Sequence, residues 1–366
     1  MHHAWIDGAP ADLSTAAVAA ARLLDASRLP LIAGLGTDIA GARAATALAQ
    51  RIGAAIDHMN ADALLRDLDV MRETGVMLTT PSEMRIRADT LLLVGPDAVE
   101  PWNEMSKHPL DAGPESGSAR GLDRRIFWLC PGRGSSAAGK IMTIGRDARD
   151  LAVLLADLRA RVNGRPSGTA PVPARVLDAL ADALKTARFG VAVWSAAELD
   201  PLTIEMLCGL VNDLNATTRF SGLPLPPGDN AVGVLQVCGW MTGFPVSTGF
   251  GRAYPDHDPW RYRAARLVDS GEADCVLWIS AYRAAMPEWS GDPPTIALAT
   301  ADAKFRRRPR VHIVVGAPGR DHDGVQHHPI VGTLVAVAAT HRSKALSVAE
   351  AIAAITPHLT TGPSLC

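Results

Sequence analysis

Sulfur ligands are scarce in this chain of 366 residues. Its five cysteines, Cys130, Cys208, Cys238, Cys275 and Cys366, are far apart and form no Cys-x-x-Cys pair. A [4Fe–4S] cluster takes four thiolates, usually three of them closely spaced, and no cysteine precedes Cys130. An odd, dispersed set reads as free thiols. Long apolar runs are also missing: no stretch of about 18 apolar residues exists, which excludes a membrane-spanning helix. The first residues, Met-His-His-Ala-Trp-Ile-Asp-Gly, lack the basic and apolar regions of a signal peptide, so a cytoplasmic location without a membrane partner is expected. Net charge is -2, which gives no polyanion-binding footprint and no expected nucleic-acid partner. There is no His-Glu-x-x-His and no Gly-x-Ser-x-Gly, so the usual zinc-hydrolase and serine-hydrolase signatures are absent. The histidines at 2–3, 257, 312, 322 and 327–328 lie in loose His/Asp clusters without ligand spacing.

What remains is an apolar chain, 48% hydrophobic, long enough for two domains. Leu31–Ala33, Thr90–Val94, Ile126–Leu129, Gly190–Trp194, Asp274–Ile279, Thr295–Leu298 and Val311–Val315 read as strands. Residues 11–27, 39–51, 147–162, 174–187 and 201–214 read as helices. This alternation predicts an α/β fold with parallel sheets covered by helices.

Two segments invite a ligand. Gly34-Leu35-Gly36-Thr37-Asp38 is a glycine-rich turn ahead of a helix, a place that can hold a phosphate. The dinucleotide fingerprint is incomplete there, and Asp38 opposes an anion and serves as a candidate helix cap. Gly132–Ser136 offers a weaker anion nest. The second segment is Gly233–Tyr254, with five glycines alongside Trp240, Phe244, Phe250 and Tyr254 in a chain that is 5% aromatic. It shows no helical period and no sustained alternation. It is expected to be an irregular loop that packs against a bound group or another subunit.

Asn230-Ala231-Val232-Gly233, Gln236, Gly239-Trp240 and Thr242-Gly243-Phe244-Pro245 resemble the B subunit of formylmethanofuran dehydrogenase, a molybdopterin or tungstopterin oxidoreductase. Gly53–Asp57 and Pro81–Glu104 extend the resemblance, which runs over most of the chain. It implies two Rossmann-like parallel-sheet domains of the formate dehydrogenase/DMSO reductase type without the N-terminal iron–sulfur domain. One domain would be discontinuous, 1–65 plus 240–366, and the other, 66–239, inserted in it. The family's metal-binding cysteine would fall near Asp62-Ala63-Leu64-Leu65, where no thiolate stands. Candidates for a vestigial pterin cleft are Gly34, Gly36, Ala63, Gly239, Trp240 and Gly243.

Loss of both cluster and metal ligand makes the chain similar to the B subunit of the formyltransferase/hydrolase complexes of aerobic methylotrophs. That resemblance implies a scaffolding subunit with no catalytic residue, metal or cofactor of its own. Its partners would be an amidohydrolase-like subunit that carries the metal, a formyltransferase subunit and the C subunit of the same complex. The complex would move formyl from tetrahydromethanopterin to a methanofuran-like cofactor and hydrolyse it to formate, within formaldehyde oxidation. One alternative is a subunit that still binds tungsto- or molybdopterin through oxygen ligands alone. Another is a binding module whose basic run, Lys304, Arg306, Arg307, Arg308 and Arg310, holds an acidic partner or the acidic tail of the furan cofactor.

Overall fold

The computed structural model describes residues 4–96, 98–99, 102, 110, 114–115, 117, 120–132, 141–165, 168, 170–284, 287 and 289–360. His2, His3, Ser135, Ser136 and Cys366 of the sequence reading lie outside them. The chain divides into two compact units: Met1–Ala61, Gly228–His327 and Leu334–Cys366 form the first, and Asp62–Pro227 with His328–Thr333 the second. The first opens with β1 (Ala4–Ile6), β2 (Ala9–Ala11), α1 (Leu13–Asp25), β3 (Pro30–Gly36), α2 (Ile39–Ile52) and β4 (Ala55–Ile56). Asp12 caps α1 by accepting the Thr15 N–H at 2.8 Å, which starts the helix where its apolar period begins. Gly53, in the left-handed region, ends α2.

The second unit contains α3 (Ala61–Thr74, whose first residue belongs to the other unit), α4 (Pro81–Arg87), β5 (Thr90–Val94), β6 (Arg125–Leu129), β7 (Ile141–Ile144), α5 (Leu151–Val162), α6 (Ala174–Lys185), β8 (Gly190–Trp194), α7 (Pro201–Leu214) and β9 (Phe220–Pro224). Its five strands are parallel, in the order β7-β6-β5-β8-β9. Alternate residues of one strand serve opposite cores. Leu92 and Val94 of β5 pack with Leu154, Leu158, Leu177 and Leu207, while Leu91 and Leu93 pack with Met84, Trp128 and Val191. Arg124 is buried where α4 ends and donates to the carbonyls of Met84, Arg85 and Ala88. The guanidinium thus supplies the partners that the last helical carbonyls lack.

Asp67 of α3 is the costly group of this unit. Its carboxylate accepts the Trp194 indole N–H at 2.8 Å. Burial pushes its pKa up to about 6, against the opposing pull of that hydrogen bond and of Arg66.

The chain returns at Gly228 with α8 (Ala231–Thr242), β10 (Thr248–Gly249), β11 (Asp256–His257), α9 (Ala264–Asp269), β12 (Cys275–Ser280), β13 (Thr295–Ala299), β14 (Val311–Val314), β15 (Gly324–His328), β16 (Thr333–Val337) and α10 (Val348–Ile355). These complete a nine-stranded sheet, β11-β10-β4-β3-β12-β13-β14-β1-β2, with a parallel centre and antiparallel margins. β15 and β16 make a separate ribbon. Helices α1, α10, α2 and α8 succeed one another as packed neighbours. Leu267 and Val268 of α9 join Leu31, Ala33, Val276 and Trp278 in another core. The architecture is α/β with parallel sheets, as the alternation of apolar runs implies.

Two local expectations give way. Residues 231–242 form a helix, not an irregular loop. It is apolar on nearly every side, so no amphipathic period marks it, and Gly243 at φ 79° closes it as a left-handed cap. Gly34–Gly36 is strand, not turn. Gly34 takes φ +80°, and a Cβ there would stand 2.5 Å from the Ile279 carbonyl, so the glycine serves close strand pairing.

Asp67 binds protons more tightly folded than unfolded, so between about pH 4 and 6 its contribution to stability falls as pH rises. Asp67→Asn is expected to stabilise the second unit at pH 7 by about 1–3 kcal/mol, with the gain shrinking towards pH 4. Urea unfolding of both proteins across that range checks it.

Candidate functional site

In open α/β sheets the ligand crevice lies beyond the carboxyl ends of the strands, where the chain order reverses. In the first unit that point falls between β3 and β12, at Gly36 and Ser280, which pair directly. Thr37 and Asp38 follow β3, and Tyr282 and Arg283 follow β12. The segment 228–230 and the loop 57–60 after β4 meet them there.

Asp229 is the electrostatic centre. Arg283 Nε donates to both of its oxygens at 2.9 and 2.8 Å, and Nη2 donates to one at 2.6 Å. The carboxylate is buried while the guanidinium is largely exposed. Asn60 Nδ2 donates to the same carboxylate at 3.3 Å and to the Gly228 carbonyl at 3.1 Å. Asn230 takes φ 57°, a region asparagine tolerates better than most residues. Its amide does not cap α8. It donates to the Thr37 carbonyl and accepts the His327 N–H, each at 2.8 Å, tying together three distant segments.

His58 is fully buried. Its Nδ1 accepts the Asn60 N–H at 2.9 Å, so Nε2 carries the hydrogen and donates to the Asp229 carbonyl at 3.3 Å. Burial pulls its pKa down to about 4, leaving a neutral imidazole at physiological pH. Asp57 beside it accepts Ser247 Oγ and the Ala264 N–H, each at 2.8 Å. Tyr282 donates to Gln326 Oε1 at 2.8 Å, and burial drives its pKa upward.

Beside Gly36 the chain packs closely on itself. A Cβ on Gly36 would meet Met59 Cε at 3.1 Å, Asp229 Cβ at 3.5 Å and Ser280 Cα at 3.7 Å. Asp38 accepts the Gly41 N–H at 2.9 Å, so the start of α2 already holds an anion of its own. The soft ligand of a pterin-bound metal is also wanting. Burial raises the thiols of Cys130 and Cys275 to about 12 and those of Cys208 and Cys238 to about 11, so they stay protonated. Among the described residues no three His, Cys, Asp or Glu side chains converge as metal ligands. The residues at hand do not fit a pterin-held metal.

The glycine and aromatic candidates do not form one site. Gly34 and Gly36 stand at the β3 end, near the start of α8. Gly239, Trp240 and Gly243 stand at its other end, about 13–20 Å along the helix at 1.5 Å per residue. Trp240 is exposed. Ala63 lies on α3 in the second unit and packs against its core. The basic run is a loop before β14, partly tied down: Arg307 pairs with Asp292 at 3.3 Å and Arg310 with Asp7 at 3.1 Å, and Arg308 donates to the Asp7 carbonyl at 3.4 Å. Asp229, Arg283, Met59 and His58 were missed by sequence reading. The ends of the two central strands were the signal that could have found them.

No family model matches the chain. It is 35% identical to the B subunit of the formyltransferase/hydrolase complex Fhc of Methylorubrum extorquens over 355 residues, which is 96% of this chain and 95% of that one. The chain belongs to the family of the Fhc B subunit. It superposes with a TM-score of 0.87 and 34% identity on a chain of the crystal structure of FhcABCD from M. extorquens in complex with methylofuran, covering 97% of this chain and 98% of that one. It is 28% identical to the B subunit of a tungsten-containing formylmethanofuran dehydrogenase of Methanocaldococcus jannaschii, over 74% of this chain and 64% of that one. The Fhc match spans nearly the whole of both chains, whereas the match to the tungsten protein leaves about a third of that protein and a quarter of this chain outside it.

The His58 pKa is lower folded than unfolded, so below about pH 6.5 the unfolded chain of this family member binds the extra proton. The His58 contribution to stability is expected to fall with acidification by up to about 1.4 kcal/mol per unit, or about 3 kcal/mol by pH 4, opposite in sign to that of Asp67. A His58→Gln variant should lose that slope in denaturant titrations at pH 7, 6 and 5. Asn230→Ala should cost about 2–3 kcal/mol, through two lost hydrogen bonds and a strained left-handed alanine. Asn230→Gly, which keeps the backbone, should cost less, as melting curves of the two variants would reveal.

Proposed function

We propose that the chain is the B subunit of a formyltransferase/hydrolase complex, assembled with the other subunits and carrying no reaction step itself. The observation behind this reading is the end-to-end match to the Fhc B subunit, with 34% identity and a TM-score of 0.87 to a chain of the FhcABCD structure. The close packing of Met59 and Asp229 beside Gly36 fits the non-catalytic part of this reading. In this reading the complex transfers formyl from tetrahydromethanopterin to a methanofuran-like cofactor and hydrolyses it to formate in the cytoplasm. Metal chemistry belongs to the amidohydrolase-like subunit, and the role of this chain is to hold partners in position. Among the described residues no helix is long and apolar enough to cross a membrane, consistent with such a complex. The two units would derive from the molybdopterin oxidoreductase arrangement, retained as architecture.

The chain co-produced with the other three subunits is expected to elute as one heteromeric complex that carries formyl transfer and hydrolysis. The chain purified alone should show neither activity, and the complex should contain molybdenum, tungsten and extractable pterin well below one per copy. Stoichiometric pterin on this chain would overturn the non-catalytic reading in favour of a surviving redox subunit.

A further inference from the structure

One face of the nine-stranded sheet carries a row of rings. Trp278 of β12 stands opposite Ala297 of β13, Ala297 opposite His312 of β14, and His312 opposite Trp5 of β1. Residues in register share a side of the sheet, so these side chains lie in line across it. The connections from β12 to β13 and from β13 to β14 contain no helix among the described residues. Each lowers a ring onto this face instead. Trp289 meets Trp278 edge-on with centroids 5.4 Å apart, and Phe305 meets His312 edge-on at 4.8 Å. Trp278, Trp289 and Phe305 line one cavity of about 190 Å³, together with Thr295 and Arg306.

The walls are held by the fold. Asp269, at the end of α9, accepts the Ser290 N–H and hydroxyl, each at 2.8 Å, and the Gly291 N–H at 3.1 Å. These bonds fix the backbone that follows Trp289. Gly291 is required there, because a Cβ would stand 2.6 Å from the Val268 carbonyl oxygen. Trp278 is buried in one core with Leu267 and Val268. His312, against which Phe305 rests, is stacked on Trp5 with centroids 5.3 Å apart. The Thr295 hydroxyl is already used, donating to the Pro293 carbonyl at 3.0 Å. A preformed aromatic slot of this kind takes a flat group with little loss of freedom.

The charges in the lining select the ligand. Asp292 is its carboxylate, and Arg307 pairs with it at 3.3 Å, so these two offset each other. Among the described residues no carboxylate pairs with Arg306, which leaves the cavity one uncompensated cation. Aromatic cages can take quaternary ammonium groups. A guanidinium sharing the cavity opposes a cation and suits a planar anion, which it can meet with two parallel hydrogen bonds. The volume is below the roughly 300 Å³ at which pockets for drug-sized ligands begin, so it suits a molecule of one or two rings. We infer that this cavity is a binding site for a small aromatic carboxylate, with the ring against Trp278, Trp289 and Phe305 and the carboxylate on Arg306. The inference concerns the first unit alone and does not depend on the assembly proposed above.

Calorimetric titration of the full chain with benzoate and with indole-3-carboxylate tests it. Each is expected to bind once per chain at about 0.1–1 mM, the affinity open to a ligand of so few atoms. Benzamide, which keeps the ring and loses the charge, should bind about tenfold more weakly than benzoate. Arg306→Gln should weaken benzoate by about the same factor with unchanged melting temperature, since the side chain is exposed. Trp289→Leu should remove measurable binding, whereas Trp289→Phe, which keeps a ring, should retain most of it. Arg310→Gln, in the same basic run but outside the cavity, should leave the affinity unchanged. No binding of either carboxylate up to about 10 mM would overturn the site. So would wild-type affinity in both Arg306→Gln and Trp289→Leu. Tighter binding of tetramethylammonium than of benzoate would overturn the class of ligand.

Discussion

The pairing of β3 with β12 is the constraint on which the first unit depends. Its parallel register, Leu31 opposite Val276 and Ala33 opposite Trp278, joins segments separated by the whole of the second unit. The start of that pairing is stapled by Asp274, whose carboxylate accepts the N–H groups of Arg28 and Leu29 and the hydroxyl of Ser27. Until these strands meet, the β3–β4 part and the β12-β13-β14 part of the sheet are separate, and the switch-point cluster does not exist. Closing so long a loop is entropically expensive and slow. The second unit places its five strands between residues 90 and 224 and can acquire its core without waiting for that closure.

The same dependence shapes the candidate site. Asp229 and Asn230 come from the point where the chain re-enters the first unit, Met59 and His58 from just before it leaves, and Arg283 from beyond β12. They act as a latch on the closed sheet. The buried imidazole is held neutral, the buried carboxylate is answered by a bidentate arginine, and the αL asparagine uses both ends of its amide. The polar groups of this cluster are satisfied by other parts of the same chain, as most buried polar groups are. A cluster arranged in this way contributes to the stability of the closed sheet.

The legible part of this fold was the part written in apolar runs. β5, β8 and α7 stand where Thr90–Val94, Gly190–Trp194 and Pro201–Leu214 place them, since each is bounded by proline, glycine or a capping aspartate. α8 was illegible because it is apolar nearly all round, and a helix without a polar face has no visible period. β9, Phe-Ser-Gly-Leu-Pro, carries residues that sheets usually avoid, and β7 leaves Met142 exposed at the edge, so neither announced itself. At the site, the lack of a thiolate near Ala63 could be read directly, whereas Asp229, His58 and Arg283 could not. Their meaning comes from closure over long sequence distances, which no local pattern encodes.

Asp38 at the start of α2 has a consequence for engineering. That helix end is served by the chain's own carboxylate, and Met59 and Asp229 pack beside Gly36. Opening the space there would mean removing the carboxylate, the methionine or the Asp229–Arg283 pair. Each removal would loosen the closed sheet before any added ligand could compensate, so room at these strand ends can be made only at the expense of the fold that frames them.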